Sequence, residues 1–303
     1  MKVGGQAIME GVLMRSPNFW AMAVKTPEGE LDVRAEPFRS VTKRSALLRL
    51  PIVRGFVSLA ETLVLGMKAL TISTNVALGE DEDFSKKEIA VTFLFAMVLA
   101  VGLFLAAPVL AVKGVGLLLG GQVENALLFS LIEGAVRIAI FIGYIVAISA
   151  FSRDIKRFFA YHGAEHKAIK VYEAGEELVP ENARRLDTMH VRCGTSFILY
   201  VLVLSILVFS LLGVEGWVYM VVSRIVVIPL VAGIGFEFIM WSARNQGSAL
   251  VRALTWPGLQ LQRLTTREPD DGMVEVAMAS LKKVLSLEEE AKIKNDASAK
   301  LVI

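Results

Sequence analysis

The chain has 303 residues, 54% of them hydrophobic, with 32 Lys and Arg against 30 Asp and Glu and a mean hydropathy of +0.57. That hydropathy excludes an ordinary soluble fold and places the chain among membrane proteins. A net charge of +2 gives no reason to expect nucleic acid as a partner, and a single cysteine excludes an intrachain disulfide framework.

Residues 1–46 are polar and mixed, and no apolar run follows the first lysine, so no secretory signal is expected. Gly4, Gly5 and Gly11 match no phosphate-binding fingerprint and read as loop. Phe19–Lys25 and Leu31–Glu36 flank Thr26-Pro27-Glu28-Gly29, in which proline and glycine supply turn geometry, and this predicts a β-hairpin. Residues 47–78 follow a helical period from Ile52. Ile52, Phe56, Leu59, Leu63, Met67 and Leu70 form one face, and Arg54, Ser58, Glu61 and Lys68 form the other. So regular a charged face suits a helix lying at the membrane interface or packed on the bundle, with a re-entrant segment as the alternative.

Four spans are then expected. Ile89 to Val112 is a run of 24 uncharged residues, long enough to cross a hydrocarbon core of about 30 Å. The second, Ala126 to Phe151, carries Glu133 and Arg137 four residues apart. That pair can neutralise itself on one helix face, turned toward the bundle, and a structural role is expected rather than a proton path. The third and fourth spans, Ser196–Val214 and Trp217–Trp241, are joined by a short turn at Glu215-Gly216, and Arg224 and Glu237 should lie near an end or face other helices. Residues 242–303 are soluble in composition. Trp256-Pro257-Gly258 is expected to break the chain, and Asp270 or Asp271 to cap a helix from about Gly272 into the 280s, frayed from about Lys292. Residues 151–195 contain eight Lys or Arg and residues 1–54 contain nine, against one in 113–125 and none in 213–216. By the positive-inside rule both termini and the 152–195 segment should be cytoplasmic.

The chemistry concentrates in that segment. His162, His166 and His190 are the only histidines, and Cys193 is the only cysteine. His162-Gly163-Ala164-Glu165-His166 reads H-x-x-E-H, the inverted form of the zinc-protease helix motif. One helical turn puts both imidazoles on one face, where they can grip a divalent ion, most readily Zn2+, with Glu165 beside it as a general base. If the helix continues the second span straight out, His162 stands roughly 16 Å beyond Phe151. Gly163 costs such a helix about 1 kcal/mol against alanine, so something should approach closely there.

The remaining ligands are open. His190, Cys193, Glu173, Glu176, Glu177 or Glu237 could supply a third in an open, catalytic site. His162, His166, His190 and Cys193 together would instead fill a tetrahedron and make the ion structural. Two other readings stand beside these: Cys193 as a nucleophile with His190 or His162 as its base, and histidines that only make interfacial hydrogen bonds.

Four stretches carry a resemblance. Gly4–Arg15, Tyr161–Lys167, Arg192–Phe197 and Leu264–Pro269 together are similar to the YqhQ-like bacterial membrane proteins, over nearly the whole chain. The resemblance implies a metal-dependent membrane enzyme of unestablished substrate. It also suggests that the first and last of these stretches fold over the histidine site, with Gln6, Glu10, Arg15 or Arg267 lining it.

The expected protein is therefore a mainly α membrane protein of four transmembrane helices. An amphipathic interfacial helix, a small N-terminal β-hairpin and cytoplasmic helical extensions complete it, with segments 1–46, 47–78, 89–151, 152–195, 196–241 and 242–303. It would sit in the inner membrane, in contact with the lipid bilayer and with a membrane-protein or peptide partner. Two functions fit: a zinc-type hydrolase of peptide or lipid-linked substrates, or a non-enzymatic scaffold or assembly factor with a structural metal.

Overall fold

The computed structural model describes residues 3–79, 86–118, 125–212 and 217–300. The expected Glu215-Gly216 turn lies outside them.

The N-terminus forms a four-stranded antiparallel meander: β1 (Gly4–Ile8), β2 (Gly11–Arg15), β3 (Phe19–Lys25) and β4 (Leu31–Pro37). The hairpin expected at Thr26–Gly29 is the β3–β4 pair, with Val24 opposite Asp32. The segment read as loop, Gly4–Arg15, is instead a second hairpin, with Ile8 opposite Gly11 and Glu10 in the left-handed region at φ 49°. Gly5 and Gly11 serve close packing. A Cβ on Gly11 would come within 2.2 Å of the Ala23 carbonyl oxygen.

β2 and β3 are apolar without interruption because both faces of the sheet are covered. Val12, Met14, Ala21 and Ala23 point to one side, and Leu13, Trp20, Met22 and Val24 to the other. Helix α1 (Val53–Leu78) covers the second face with Leu65 and Ala69, after two short 3-10 turns at Val41–Arg44 and Leu47–Arg49. The charged strip read from the sequence turns toward protein. Glu61 accepts from Ser40 and the Val41 N–H and pairs with Arg15, Lys68 meets Glu36 at 2.6 Å, and Arg54 grips Glu237 at 2.6 and 2.7 Å. Phe56, Leu63 and Leu70 of the apolar strip stay exposed.

Helices α2 (Lys86–Val101) and α3 (Ala107–Leu118) are one apolar rod interrupted by a π turn at Gly102–Ala106. Beside it runs α4 (Ala126–Phe151). Arg137 and Glu133 form a buried ion pair on α4, and Arg137 Nε donates to the Phe104 carbonyl in the π turn at 2.9 Å. A π turn frees carbonyls from the i→i−4 pattern, and here one of them meets a cation. Ser152, extended at φ −106° and ψ 124°, ends α4 and caps α5 (Arg153–Glu173) through the Ile155 N–H.

A short helix α6 (Pro180–Arg184) precedes α7 (Gly194–Leu212) and α8 (Trp217–Ser242). By length and composition Val53–Leu78, Ala90–Leu118, Leu127–Phe151 and Gly194–Leu212 are each able to cross a membrane, so the chain is a multi-pass membrane protein. α1 meets that criterion, yet the sheet covers one side of it. The apolar stretch Val226–Ser242 of α8 is shorter among the described residues.

The tail differs from the reading of its sequence. Helix α9 (Ala249–Thr265) runs through Pro257, where a break was expected. Pro257 lies on the exposed side, as does Ala253, whose carbonyl the proline cannot bond, while Gly258 lets α9 press onto Ser196 and Tyr200 of α7. Asp270 caps α10 (Asp271–Lys300) by accepting from the Met273 N–H at 2.8 Å. α10 continues to Lys300, past the expected frayed point, and lays Val274, Ala277, Met278, Leu281 and Val284 against the sheet and α5.

Candidate metal centre

Helix α5 is buried along most of its second half because the sheet, α10 and the segment after α9 close around it. This fixes its histidines. His162 Nδ1 lies 2.8 Å from the Thr265 carbonyl oxygen, and His166 Nδ1 lies 2.6 Å from that of Thr188. A carbonyl only accepts, so each ring donates through Nδ1 and leaves Nε2 as the atom that could ligate an ion. Metal-binding histidines are oriented in this way by backbone carbonyls.

Cys193 brings the third donor. It immediately precedes α7, and its Sγ lies 3.3 Å from His162 Nε2 and 3.1 Å from Thr195 Oγ1. One donor atom each from His162, His166 and Cys193 lies within 4.8 Å of the others. Burial holds His166 below the ordinary imidazole value, and the neutral ring is the form that binds metal. Two nitrogens and a sulfur suit Zn2+.

His190 stands beside this group without joining it. Its ring centroid is 5.5 Å from that of His166, but Nε2 faces Glu173 at 3.3 Å and Nδ1 accepts from the Arg192 N–H at 3.3 Å. Glu173 is thus engaged by His190 and Arg192, and these contacts hold its carboxyl below the usual range. Glu237 is paired with Arg54 and Glu176 with Arg185, so neither turns toward the cluster.

Glu165 is buried against β1. Burial pushes its carboxyl up to about 7, against the opposing influence of His162 and of the Gly5 N–H, which donates to it. A Cβ on Gly5 would lie 2.7 Å from Glu165 Cγ, so only glycine lets the strand cross here.

Gly163 has the close neighbour its sequence position implied. A Cβ there would fall 2.1 Å from the Arg267 carbonyl oxygen. The four side chains expected to line the site point elsewhere: Gln6 to the Thr62 carbonyl, Glu10 to Arg157 and Tyr161, Arg15 to Glu61, and the Arg267 guanidinium to Ser149 at 2.7 Å. The Gly4–Arg15 and Leu264–Pro269 stretches instead meet α5 through their backbones, by the Gly5 N–H on Glu165 and the Thr265 carbonyl on His162.

The bend at Ser152 also moves the site. Arg267 bonds Ser149 near the end of α4 while its backbone lies on α5, with its N–H on the Phe159 carbonyl at 2.9 Å. His162 therefore sits close beside the end of α4 and the start of α7, not out along a straight extension.

Residues 50–287 match the family described as "Protein of unknown function (DUF1385)". The chain is also 31% identical over 305 residues to "Uncharacterized protein YqhQ" of Bacillus subtilis (strain 168), covering 94% of this chain and 92% of that protein. The chain belongs to the DUF1385 family. No solved structure matches it.

In this DUF1385 protein the supporting shell includes a residue the sequence did not flag. Gln262 is fully buried, accepts from the His190 N–H at 2.7 Å, and donates to the His190 carbonyl at 2.8 Å and to Ser196 Oγ at 2.6 Å. Thr188 and Thr266 join their hydroxyls at 2.9 Å, linking the two segments whose carbonyls hold the histidines. Helical position alone carries no sign of such side chain–backbone clamps.

Proposed function

We propose that this is an inner-membrane protein with both termini and the histidine site on the cytoplasmic side, acting as a metal-dependent hydrolase of a peptide or lipid-linked substrate. The observation that carries the reading is the donor set: His162, His166 and Cys193 converge, and His190 is turned to Glu173. Catalytic zinc sites keep three protein ligands and leave one position for water or substrate. Bound there, Zn2+ would lower the pKa of a water to about 7. Thr265 and Thr188 fix the imidazoles and Gln262 fixes the His190 backbone; Glu165, one residue before His166 and held by the Gly5 N–H, would take and return the proton. The basic residues of segments 1–54 and 151–195 support the cytoplasmic orientation.

A second reading is a membrane scaffold or assembly factor with a structural ion. It is favoured by the His190 ring, whose centroid lies 5.5 Å from that of His166. Metal analysis and turnover separate the two. Wild type and Glu165→Gln should each retain one ion per chain, and His166→Ala should lose it. A panel of quenched-fluorescent peptides and lipid-linked esters in proteoliposomes should be cleaved by wild type alone. Cleavage by Glu165→Gln at the wild-type rate removes the general base.

A further inference from the structure

Helix α9 presents one covered face and one bare one. The covered face packs on helices long and apolar enough to span: Tyr200 of α7 donates to the Thr255 carbonyl at 3.3 Å, and Leu261 clusters with Phe141 and Ile145 of α4. Those partners lie within the spans, short of their site-side ends. Whatever surrounds α4 and α7 at that level also meets the other side of α9.

That side has two strips. Helical spacing puts Arg252, Arg263 and Trp256 on one; Leu250, Ala253, Leu254 and Pro257 form the next over the first half of α9, where the line of the helix that Leu261 buries further on is still bare. Leu250, Leu254 and Trp256 are 64%, 46% and 61% exposed. Both arginines are exposed, as is Arg244 in the turn before the helix, and no Asp or Glu occurs between Phe238 and Arg267. An apolar strip beside a basic strip, with tryptophan at their border, is the pattern of a helix lying in the headgroup–acyl boundary.

We infer that α9 is seated in the bilayer leaflet on the site's side, with Leu250 and Leu254 among acyl chains and Arg252 and Arg263 on the phosphates of anionic lipids. The occupant of its bare face is lipid, continuous with the lipid around α4 and α7. The consequence reaches the metal centre, since the same helix ends in Gln262 and Thr265, which hold His190 and His162. Lipid seating of α9 thereby sets the site at headgroup depth.

The test uses the full chain in nanodiscs of phosphatidylcholine with phosphatidylglycerol, each lipid in turn brominated on its acyl chains. Fluorescence is compared between wild type and Trp256→Phe, so that the difference reports Trp256. The expected result is that brominated lipid removes roughly half of that difference signal, whereas aqueous iodide removes little, as for an interfacial tryptophan. Brominated phosphatidylglycerol should quench more strongly than brominated phosphatidylcholine, and that preference should vanish in the Arg252→Gln/Arg263→Gln variant. Quenching by iodide alone overturns the inference, and so does protection from both quenchers, which would mean that protein covers the face. A lipid preference that survives the double variant overturns the role of the arginines.

Discussion

Replacing Gly163 by alanine sets two physical effects against each other. Helix propensity favours the change, since alanine is about 1 kcal/mol better than glycine inside a helix. Packing opposes it. The new Cβ would stand 2.1 Å from the Arg267 carbonyl oxygen and 3.1 Å from Thr188 Cγ2, where ordinary contact begins at 3.4 Å. The oxygen belongs to backbone, so no rotamer change relieves it, and the Thr265–Pro269 segment must retreat by about an ångström at the usual cost of overpacking, about 1–3 kcal/mol. That segment carries the Thr265 carbonyl on His162, and Thr188 carries the carbonyl on His166. The expected result is a net loss of up to about 2 kcal/mol together with a 10–100-fold weaker metal affinity, the range typical of disturbed outer-shell partners. Thermal unfolding in detergent reads the first, and competition with a chromophoric chelator the second. A Gly163→Ala protein that melts higher than wild type and binds zinc as tightly would refute the reasoning.

Gln262→Ala removes three hydrogen bonds at a fully buried position and leaves the His190 backbone unpaired. It should cost about 1–3 kcal/mol for each group left unsatisfied, seen as a lower Tm, and an unchanged Tm would mean that the clamp is dispensable. Glu133→Gln removes the carboxylate that pairs with the buried Arg137 and should destabilise by about 3–5 kcal/mol, whereas Glu133→Gln/Arg137→Met should recover most of that; equal stability of single and double variants would contradict it. Glu288 ties α10 to the β2–β3 turn by accepting from the Asn18 N–H at 2.8 Å and from Asn18 Nδ2 at 3.0 Å. Burial alone would raise its carboxyl, but the hydrogen bonds from Asn18 and Ser16 hold it below the ordinary value. A depressed folded value means that the contribution is present above the unfolded carboxylate pKa and is lost as pH falls through the folded one. Glu288→Gln should therefore flatten the acid side of a Tm-against-pH curve, and an unaltered slope there would show that the contact contributes nothing.

The parts legible in the sequence are those in which one residue type has one physical use. Long uncharged runs give membrane-crossing helices, Glu133 and Arg137 at helical spacing give an internal pair, and a glycine between two histidines announces a close neighbour. Gly4–Arg15 misled because glycine also serves strands that other atoms crowd, and nothing local reveals that Glu165 or Ala23 lies against them. Pro257 misled because a proline on the exposed side of a packed helix removes one hydrogen bond without opening a turn. The donor set was only partly legible. The order of His162, His166, His190 and Cys193 allows four ligands, and the exclusion of His190 depends on Glu173 and Arg192, whose placement follows from the bend at Ser152 and the packing around α5.

The central claim is a three-ligand site with room for a reactant. X-ray absorption at the zinc edge of the purified, zinc-loaded protein tests it most directly. Two imidazole nitrogens, one sulfur and one light oxygen atom are predicted from His162, His166 and Cys193 plus solvent, with the sulfur lost in Cys193→Ser and nothing altered in His190→Ala. Three imidazoles and one sulfur, with one imidazole lost in His190→Ala, would make the ion structural and contradict the account.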